Sequence, residues 1–317
     1  MPHIQIIADS ACDLSKELQE KYNIHILPLY VNTERGEFTD GDITPPALFD
    51  IVKETGAVPK TAACSITDCT VAYDAYSPDT QIIHFTISSG FSSCYQNAHI
   101  AAADYENVTV IDSKNLSTGI SLTVLVAAEM AEAGASVEEI VAQAERNIAR
   151  AEASFVIDTL EFLHKGGRCS TVAALGANLL QLKPCIEVKD GGMAVGKKYR
   201  GTLKKALLAY VEDRLNGRED IDTSRIFITH SYCDPALVEE IKEKVLSILP
   251  FDDVIICTAG CTVSSHCGPN TLGIIFFRKY SKIKRAPEGA LFLVFFKVGH
   301  TVDLDGRLAP SVNVLIP

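Results

Sequence analysis

The stretch IQIIADS at Ile4–Ser10 is a short apolar run that ends in two polar residues. Runs of this kind are typical of strands that lie buried in a parallel sheet. Four more occur further along the chain, at Gln81–Thr86, Val108–Ile111, Arg225–Thr229 and Asp253–Cys257. We therefore predict five buried strands.

Helix signals lie between these strands. Ser136 and Glu139 have the spacing of a capping box, and the apolar residues that follow them share one helical face. Thr44-Pro45 and Asp234-Pro235 each combine a capping residue with a proline in the first helical turn. Strands that alternate with helices predict an α/β fold.

The length of 317 residues and a hydrophobic content of 47% predict a globular protein of two domains. The helical region after Ser136 is expected to end near Ala153, just before the apolar segment Phe155–Ile157. We place the boundary there. It gives an N-terminal α/β domain at residues 1–153 and a C-terminal α/β domain at residues 154–317.

The charge balance and the cysteines bear on location and partners. With 29 basic and 40 acidic residues the net charge is -11, which opposes an extended nucleic-acid surface. We find neither a signal peptide nor an apolar run long enough to span a bilayer. Ten cysteines without a secretory signal are typical of reduced thiols. We expect a cytoplasmic protein with no nucleic-acid partner and no stable membrane insertion.

Two motifs invite a metal or nucleotide interpretation and support neither. Cys257, Cys261, His266 and Cys267 supply soft ligands, but their spacing lacks the paired knuckles of a structural zinc site. Gly191–Lys198 nearly matches a phosphate-binding loop, but it ends in lysine and is placed like a hairpin turn with no helix after it. We predict no metal and no cofactor.

Polar loops follow three of the predicted strands, at Asp9-Ser10, Ser88–Ser93 and Asp112-Ser113. Ligands of open α/β sheets bind beyond the carboxyl ends of the strands, so these loops are expected to meet at one crevice. The serine-rich loop precedes a predicted helix at Tyr95–Ala103 and is expected to aim hydroxyl and N–H groups at an anion. Ordinary helix capping is the alternative for each loop alone.

A catalytic alternative uses Ser92, His266 and Asp112 as a triad. The order of triad residues along a chain is not fixed, so the sequence leaves this open. No G-x-S-x-G elbow is present, however, and a hydroxyl beside an imidazole also suits carboxylate binding. A Ser/His hydrolase that acts on a lipid or another ester therefore stays as the alternative function.

A set of motifs distributed from Ile4 to about Phe277 carries a family resemblance. They are DSACDL at Asp9–Leu14, Lys60-Thr61, SSGFS at Ser88–Ser92, Ile111–Ser113, LHKGGR at Leu163–Arg168, Lys183-Pro184, Arg200-Gly201 and HCGP at His266–Pro269. This set resembles the DegV family of bacterial fatty-acid-binding proteins. The resemblance implies a parallel-sheet N-terminal domain and a second α/β domain with a mixed sheet, which enclose one long-chain fatty acid between them.

The resemblance also implies roles for individual residues. Thr61, Ser92, Ser93 and His266 are expected to bind the acyl carboxylate. Arg200 is expected to contact a separate fatty acid kinase, which uses ATP to convert the bound acid into an acyl phosphate for phospholipid synthesis. The protein itself is then a lipid-binding subunit without catalytic residues.

The chain departs from the family pattern at several places. Ser92-Ser93-Cys94-Tyr95 replaces the usual Ser-Gly-Thr-Tyr, and Thr61-Ala62-Ala63-Cys64 replaces Thr-Ser-Gln-Pro. The segment from Arg278 to Pro317 extends past the usual family end as an atypical extension. The apolar stretch Ala173–Leu180 is a candidate wall for the acyl chain, with plain core as the alternative.

Overall fold

The computed structural model describes residues 3–168 and 182–280, together with the backbone of residues 301–302 and 308–309. The chain divides into two compact units, Met1–Lys279 and Tyr280–Pro317. In the second unit the described residues form two short antiparallel strands, Thr301–Val302 and Leu308–Ala309.

The strands of the first unit are short, as expected for an α/β protein. In chain order they are β1 (Ile4–Asp9), β2 (His25–Leu27), β3 (Tyr30–Thr33), β4 (Gly36–Thr39), β5 (Lys60–Ala62), β6 (Gln81–Thr86), β7 (Val108–Asp112), β8 (Ala151–Val156), β9 (Leu182–Lys189), β10 (Gly192–Arg200), β11 (Ile221–Ser231), β12 (Val254–Thr258) and β13 (Thr271–Arg278). All five predicted strands are present, in β1, β6, β7, β11 and β12.

The helices alternate with these strands. They are α1 (Lys16–Lys21), α2 (Pro45–Thr55), α3 (Ile66–Asp74), α4 (Cys94–Ala102), α5 (Thr118–Glu132), α6 (Val137–Arg150), α7 (Glu161–Gly166), α8 (Leu203–Leu215), α9 (Pro235–Ile248) and α10 (Cys261–Cys267). The predicted N-cap positions are confirmed, although the Thr44 side chain at the start of α2 makes no capping hydrogen bond. Ser136 and Glu139 close a capping box at α6, and Asp234 accepts the Ala236 N–H at the start of α9.

The strands form a parallel sheet and a mixed sheet, as the family resemblance implied. The first has the order β2-β1-β6-β7 and is parallel throughout. The second has the order β10-β9-β8-β13-β11-β12 and is antiparallel except for the β11–β12 pair. A small antiparallel sheet, β4-β3-β5, was not foreseen because its strands are only three or four residues long.

Helix α5 joins the two larger sheets into one core. It packs against β1 and β6 of the parallel sheet and against β8, β11 and β13 of the mixed sheet. Most of its residues are buried, so its apolar surface is not confined to one face. Ile7, Leu122 and Ile275 belong to the same buried apolar cluster, which therefore reaches from sheet to sheet.

The helix before the expected domain boundary ends earlier than the sequence analysis indicated. Helix α6 ends at Arg150, and β8 begins at Ala151. The boundary placed after Ala153 therefore falls inside a strand. The division into residues 1–153 and 154–317 stays a prediction.

The turn that resembled a phosphate-binding loop is a β-hairpin, as predicted. Asp190 and Gly191 connect β9 to β10 with φ angles of +50° and +77°, the left-handed region that a tight hairpin turn requires. The turn packs against the serine-rich loop, where Ser88 Oγ donates to the Gly191 carbonyl at 2.7 Å. A Cβ atom on Gly90 would lie 2.3 Å from that carbonyl oxygen. The hairpin thus fixes the loop that carries Ser92.

Candidate functional site

A cavity of about 320 Å³ lies beside the serine-rich loop and α10. This volume falls at the lower end of the range for small-molecule sites, roughly 300 to 1,000 Å³. The polar residues of its wall are Thr61, Ser92, Ser93, Arg168, Thr262 and His266. Apolar residues complete the wall: Leu29, Ala62, Ala63, Ile87, Phe91, Leu116, Met193, Val263 and Cys267. The four residues predicted to bind a carboxylate therefore line one cavity.

Thr61 and His266 meet across 205 residues of sequence, with Oγ1 and Nε2 2.8 Å apart. The small sheet brings them together, because β5 carries Thr61 and pairs with β3, while α10 packs on the same sheet. Cys261 of α10 shares an apolar cluster with Val31 of β3. The contact therefore depends on strands that the sequence did not reveal.

His266 is neutral at physiological pH. Burial, with a smaller contribution from the nearby charge of Arg168, lowers the pKa of the imidazole to about 4. Its Nδ1 atom is buried, has no hydrogen-bond partner among the described residues, and lies against Gly166. When Nε2 carries the ring proton and donates to Thr61 Oγ1, the Thr61 hydroxyl is left to donate into the cavity.

Ser92 and Ser93 add two more hydroxyls to the lining of the cavity. Ser92 Oγ accepts the Cys94 N–H at 3.4 Å and lies 3.1 Å from Cys94 Sγ. Ser93 is exposed at the start of α4, and its side chain makes no capping bond. Both hydroxyl protons can therefore turn toward an acceptor in the cavity.

The backbone of the serine-rich loop does not present the N–H groups that the sequence analysis expected. Gly90 N donates to Ser88 Oγ, and the N–H groups of Phe91 and Ser92 donate to the Ser88 carbonyl. These bonds close the loop on itself. The expectation of an N–H cradle for an anion was therefore wrong for these three groups, because the loop satisfies them internally.

The other two polar loops, unlike the serine-rich loop, do not line the cavity. Asp9 accepts the Ile87 N–H at 2.8 Å and so ties the end of β1 to the end of β6. Ser10 Oγ accepts the Leu29 N–H, and Ser113 Oγ donates to the Asn115 carbonyl. Of the three loops that were expected to meet at one crevice, the serine-rich loop lines the cavity and the other two do not. These Asp and Ser side chains hold the backbone instead.

The geometry does not assemble the triad considered as the catalytic alternative. Asp112 accepts from Lys114 Nζ at 2.6 Å and from the Ser89 N–H at 3.2 Å. A triad carboxylate would hold His266 Nδ1, and the described part of the chain provides no partner for this atom. Without an orienting carboxylate the neutral imidazole is a poor general base for Ser92.

Two lining residues were missed as site residues. Arg168 Nη1 donates to the Gly166 carbonyl at 2.7 Å and Nε to the Phe91 carbonyl at 3.4 Å, and within the described ranges no carboxylate pairs with it. Thr262 Oγ1 is buried, and residues 3–168 and 182–280 offer it no hydrogen-bond partner. Arg168 could have been found from its Gly-Gly-Arg motif, whereas no sequence signal marked Thr262.

A smaller void of about 30 Å³ shares Leu116, Val263 and Cys267 with the wall of the main cavity. Its remaining lining comes largely from β8, β11 and β13 of the mixed sheet. The shared residues place it on the apolar side of the main cavity. The candidate wall at Ala173–Leu180 lies outside the described residues.

Arg200 lies apart from this site, and of the suspected zinc ligands His266 and Cys267 line the cavity whereas Cys257 and Cys261 do not. Arg200 is exposed at the end of β10 and is not part of the cavity wall. Cys261 Sγ donates to the Ile43 carbonyl, and His266 contacts Thr61. The side chains of Cys261 and His266 thus contact other groups and not each other.

The parallel and mixed sheets, bridged by one buried helix and accompanied by a cavity with hydroxyls at one end, define a two-sheet α/β binding protein. The chain belongs to the DegV family. The family model described as "Uncharacterised protein, DegV family" matches residues 3–279.

Relatives of similar length include proteins named for lipid binding. A fatty acid-binding protein of Thermotoga maritima is 30% identical over 278 residues, which cover 85% of this chain and 96% of that protein. A solved structure from Thermus thermophilus, described as fatty acid binding of a DegV family protein, is 32% identical with a TM-score of 0.79 and covers 87% and 99% of the two chains. A stearic acid-binding protein of Eubacterium ventriosum is 29% identical with a TM-score of 0.77 and the same coverage.

Among the described residues, no helix combines the length and apolar character needed to cross a bilayer.

Proposed function

We propose that the protein binds one long-chain fatty acid in the cavity, with the carboxylate at Thr61, Ser92, Ser93 and His266. The observation that carries this proposal is the position of uncommitted polar groups at one end of a largely apolar cavity. The fatty acid-binding relatives share the fold over 85% or more of the chain, which supports the same ligand class.

The polar end suits a carboxylate because it offers donors and a positive charge. The hydroxyls of Thr61 and Ser92 can donate, and a hydrogen bond to an ionised acceptor is stronger than one between neutral groups. Arg168 adds a guanidinium at the rim that no described carboxylate neutralises. A neutral His266 leaves the Thr61 hydroxyl available as a donor.

The apolar side suits an acyl chain. Removal of about fifteen methylenes from water contributes roughly 12 kcal/mol, at about 0.8 kcal/mol each, before the costs of ordering the ligand. The acyl chain would extend from the cavity toward the smaller void, because both are lined by Leu116, Val263 and Cys267. Nanomolar affinity is then reachable without a cofactor.

We further propose that the protein is a cytoplasmic lipid-binding subunit and not itself an enzyme. It would present the carboxylate to a partner fatty acid kinase for ATP-dependent acyl phosphate formation. An exposed Arg200 outside the cavity suits a contact with that kinase. The ligand would lie between the two domains proposed at residues 1–153 and 154–317.

The ligand proposal is tested by mass spectrometry under denaturing conditions on protein purified from bacteria. We expect one fatty acid per chain, because an apolar cavity closed by hydroxyls fills where lipid is plentiful. Delipidated protein should then bind palmitate or oleate with a rise in melting temperature. Lipid-free protein that also shows no response to either acid would refute the proposal. Turnover of a p-nitrophenyl ester would instead favour the hydrolase.

A further inference from the structure

Three potential metal ligands converge behind the serine-rich loop. They are Asp9 at the end of β1, Cys64 just before α3 and Cys94 at the start of α4. Each offers one ligand atom, and the three atoms lie within 4.8 Å of one another. The described part of the chain holds no second group of this kind. All three residues have an exposed fraction of 0%, so the cluster is closed to solvent.

The distances within the cluster approach those of a tetrahedral thiolate site. Cys64 Sγ lies 4.0 Å from Asp9 Oδ1, and Cys94 offers its Sγ within 4.8 Å of the ligand atoms of both. Ligand atoms of tetrahedral zinc with Zn–S bonds of about 2.3 Å are separated by roughly 3.8 Å. A metal ion at the centre would need the ligand atoms to move inward by less than about 1 Å.

The carboxylate of the cluster is already held in place by neighbouring groups. Asp9 Oδ2 accepts the Ile87 N–H at 2.8 Å, and Oδ1 lies 3.3 Å from His84 Nε2. His84 Nδ1 is in turn 2.9 Å from the Tyr73 hydroxyl. Carboxylates that bind metal ions are commonly oriented by such surrounding hydrogen bonds.

We propose that Asp9, Cys64 and Cys94 form a closed three-ligand binding site for a thiophilic divalent ion of the zinc class. Two sulfur ligands disfavour Mg²⁺ and Ca²⁺, which prefer oxygen. Formation of the two S–metal bonds breaks the S–H bonds of Cys64 and Cys94 and releases two protons to solvent. Two positive charges replace two protons, so the net charge of the buried site does not change.

Both cysteines of the site are departures of this chain from the family pattern. Cys64 and Cys94 stand at two positions where the chain departs from the family pattern, and their separation of 30 residues forms no recognisable zinc motif. The proposal is also independent of the proposed lipid binding, since the metal can be measured on lipid-free protein.

The test compares the parent with three variants, all grown with added Zn²⁺ and purified under reducing conditions. We expect one zinc per chain by elemental analysis in the parent and in Cys233→Ser, whose buried thiol lies outside the cluster. Cys64→Ser and Cys94→Thr should lose the zinc. Co²⁺ added to metal-free parent should produce a thiolate-to-cobalt absorption band that both cluster variants lack.

A change of stability protects the test against variants that simply misfold. Zn²⁺ should raise the melting temperature of metal-free parent and Cys233→Ser, because a ligand bound only by the folded state stabilises it. Reduced parent that takes up neither Zn²⁺ nor Co²⁺ would overturn the proposal. Metal retained by both folded cluster variants would overturn it as well, and so would a disulfide at Cys64 in freshly purified parent.

Discussion

At the scale of residues, the contact between Thr61 and His266 governs the polar end of the cavity. The two groups share one hydrogen bond of 2.8 Å, so their effects on a bound carboxylate are coupled. Ser92 also lines the cavity, is not bonded to this pair, and acts through its own hydroxyl. The cavity therefore has two separable sources of donors.

Substitutions at these donors should weaken fatty-acid binding. We expect the binding free energy of the fatty acid to weaken by about 1.5 to 3 kcal/mol in each of Thr61→Val, His266→Ala and Ser92→Ala. This is the usual range for a hydrogen bond to a charged group. The Thr61 and His266 losses should combine to less than their sum, whereas Ser92→Ala should add to either. Fluorescence titration with a labelled fatty acid measures all three. Affinities equal to that of the parent would contradict the assignment of the polar end.

The depressed pKa of His266 predicts a loss of stability in mild acid. The folded imidazole has a pKa of about 4, below its ordinary value of 6.5, because it is buried and lies near Arg168. Between these values the unfolded chain binds a proton that the folded chain does not, so the unfolding free energy falls as the pH falls. The loss between pH 7 and pH 5 should be on the order of 2 kcal/mol.

Urea denaturation of the parent and His266→Gln at both pH values isolates this contribution. The variant keeps a side chain that can donate to Thr61 but cannot titrate. All other titratable groups are shared by the two proteins. The difference between the pH dependences of their unfolding free energies is therefore due to His266. Identical pH dependence in the two proteins would show that His266 does not titrate as proposed.

Arg200 provides a test of the kinase contact. We expect Arg200→Ala to leave fatty-acid affinity unchanged but to reduce acyl phosphate formation with a cognate kinase and ATP. Arg200→Lys should restore little, because lysine cannot pair in a bidentate way with a carboxylate. Lys198→Ala, an exposed cation on the same strand, is the control for a general charge effect. Equal losses of binding and phosphorylation would place Arg200 at the lipid.

At the scale of elements, the hairpin β9–β10 and the serine-rich loop act as one support for the site. The hairpin turn accepts the Ser88 hydroxyl, and Gly90 lets the two backbones approach closely. The next residues after Gly90 are Phe91 and Ser92, both of which line the cavity. A disturbance at Gly90 should therefore reach the ligand.

Gly90→Ala tests this support. Its Cβ would lie 2.3 Å from the Gly191 carbonyl oxygen, so loop and hairpin must separate. We expect a loss of about 1 to 3 kcal/mol in unfolding free energy, typical of overpacking, and weaker fatty-acid binding. Gly192→Ala is the matched control, because its Cβ would meet nothing closer than 3.7 Å. If both variants behaved alike in thermal melts and titrations, the support would not depend on this contact.

The elements also show how far the sequence could predict the structure. Buried strands such as β6 and capped helices such as α6 carry strong local signals, and their positions were confirmed. The three strands of the small sheet have no apolar run of their own, and β5 takes its position from pairing with β3. The predicted site residues came from a family resemblance, since Thr61 and His266 are brought together by tertiary packing. Thr262 and the cluster of Asp9, Cys64 and Cys94 have no signal in sequence spacing.

At the scale of the whole molecule, one continuous apolar core links the two larger sheets through α5. The cavity draws its wall from the serine-rich loop, the small sheet, α10 and the hairpin. A ligand held by all of these elements must be released for any of them to unfold. Ligand binding should therefore stabilise the first unit as a whole and not one loop alone.

The first unit should also be sufficient for folding and lipid binding. The family match ends at residue 279, and every buried cluster of the described chain lies before that residue. Lys279 attaches the end of this unit to the residues before β11. Its N–H donates to the Asp220 carbonyl at 2.6 Å, and its Nζ donates to the Glu219 carbonyl at 2.9 Å. We therefore expect a chain shortened after Lys279 to keep its melting temperature within a few degrees and its fatty-acid affinity within about twofold. Calorimetry and lipid titration of the full and shortened chains decide the point, and a shortened chain that fails to fold would show that residues 280–317 belong to the folding unit.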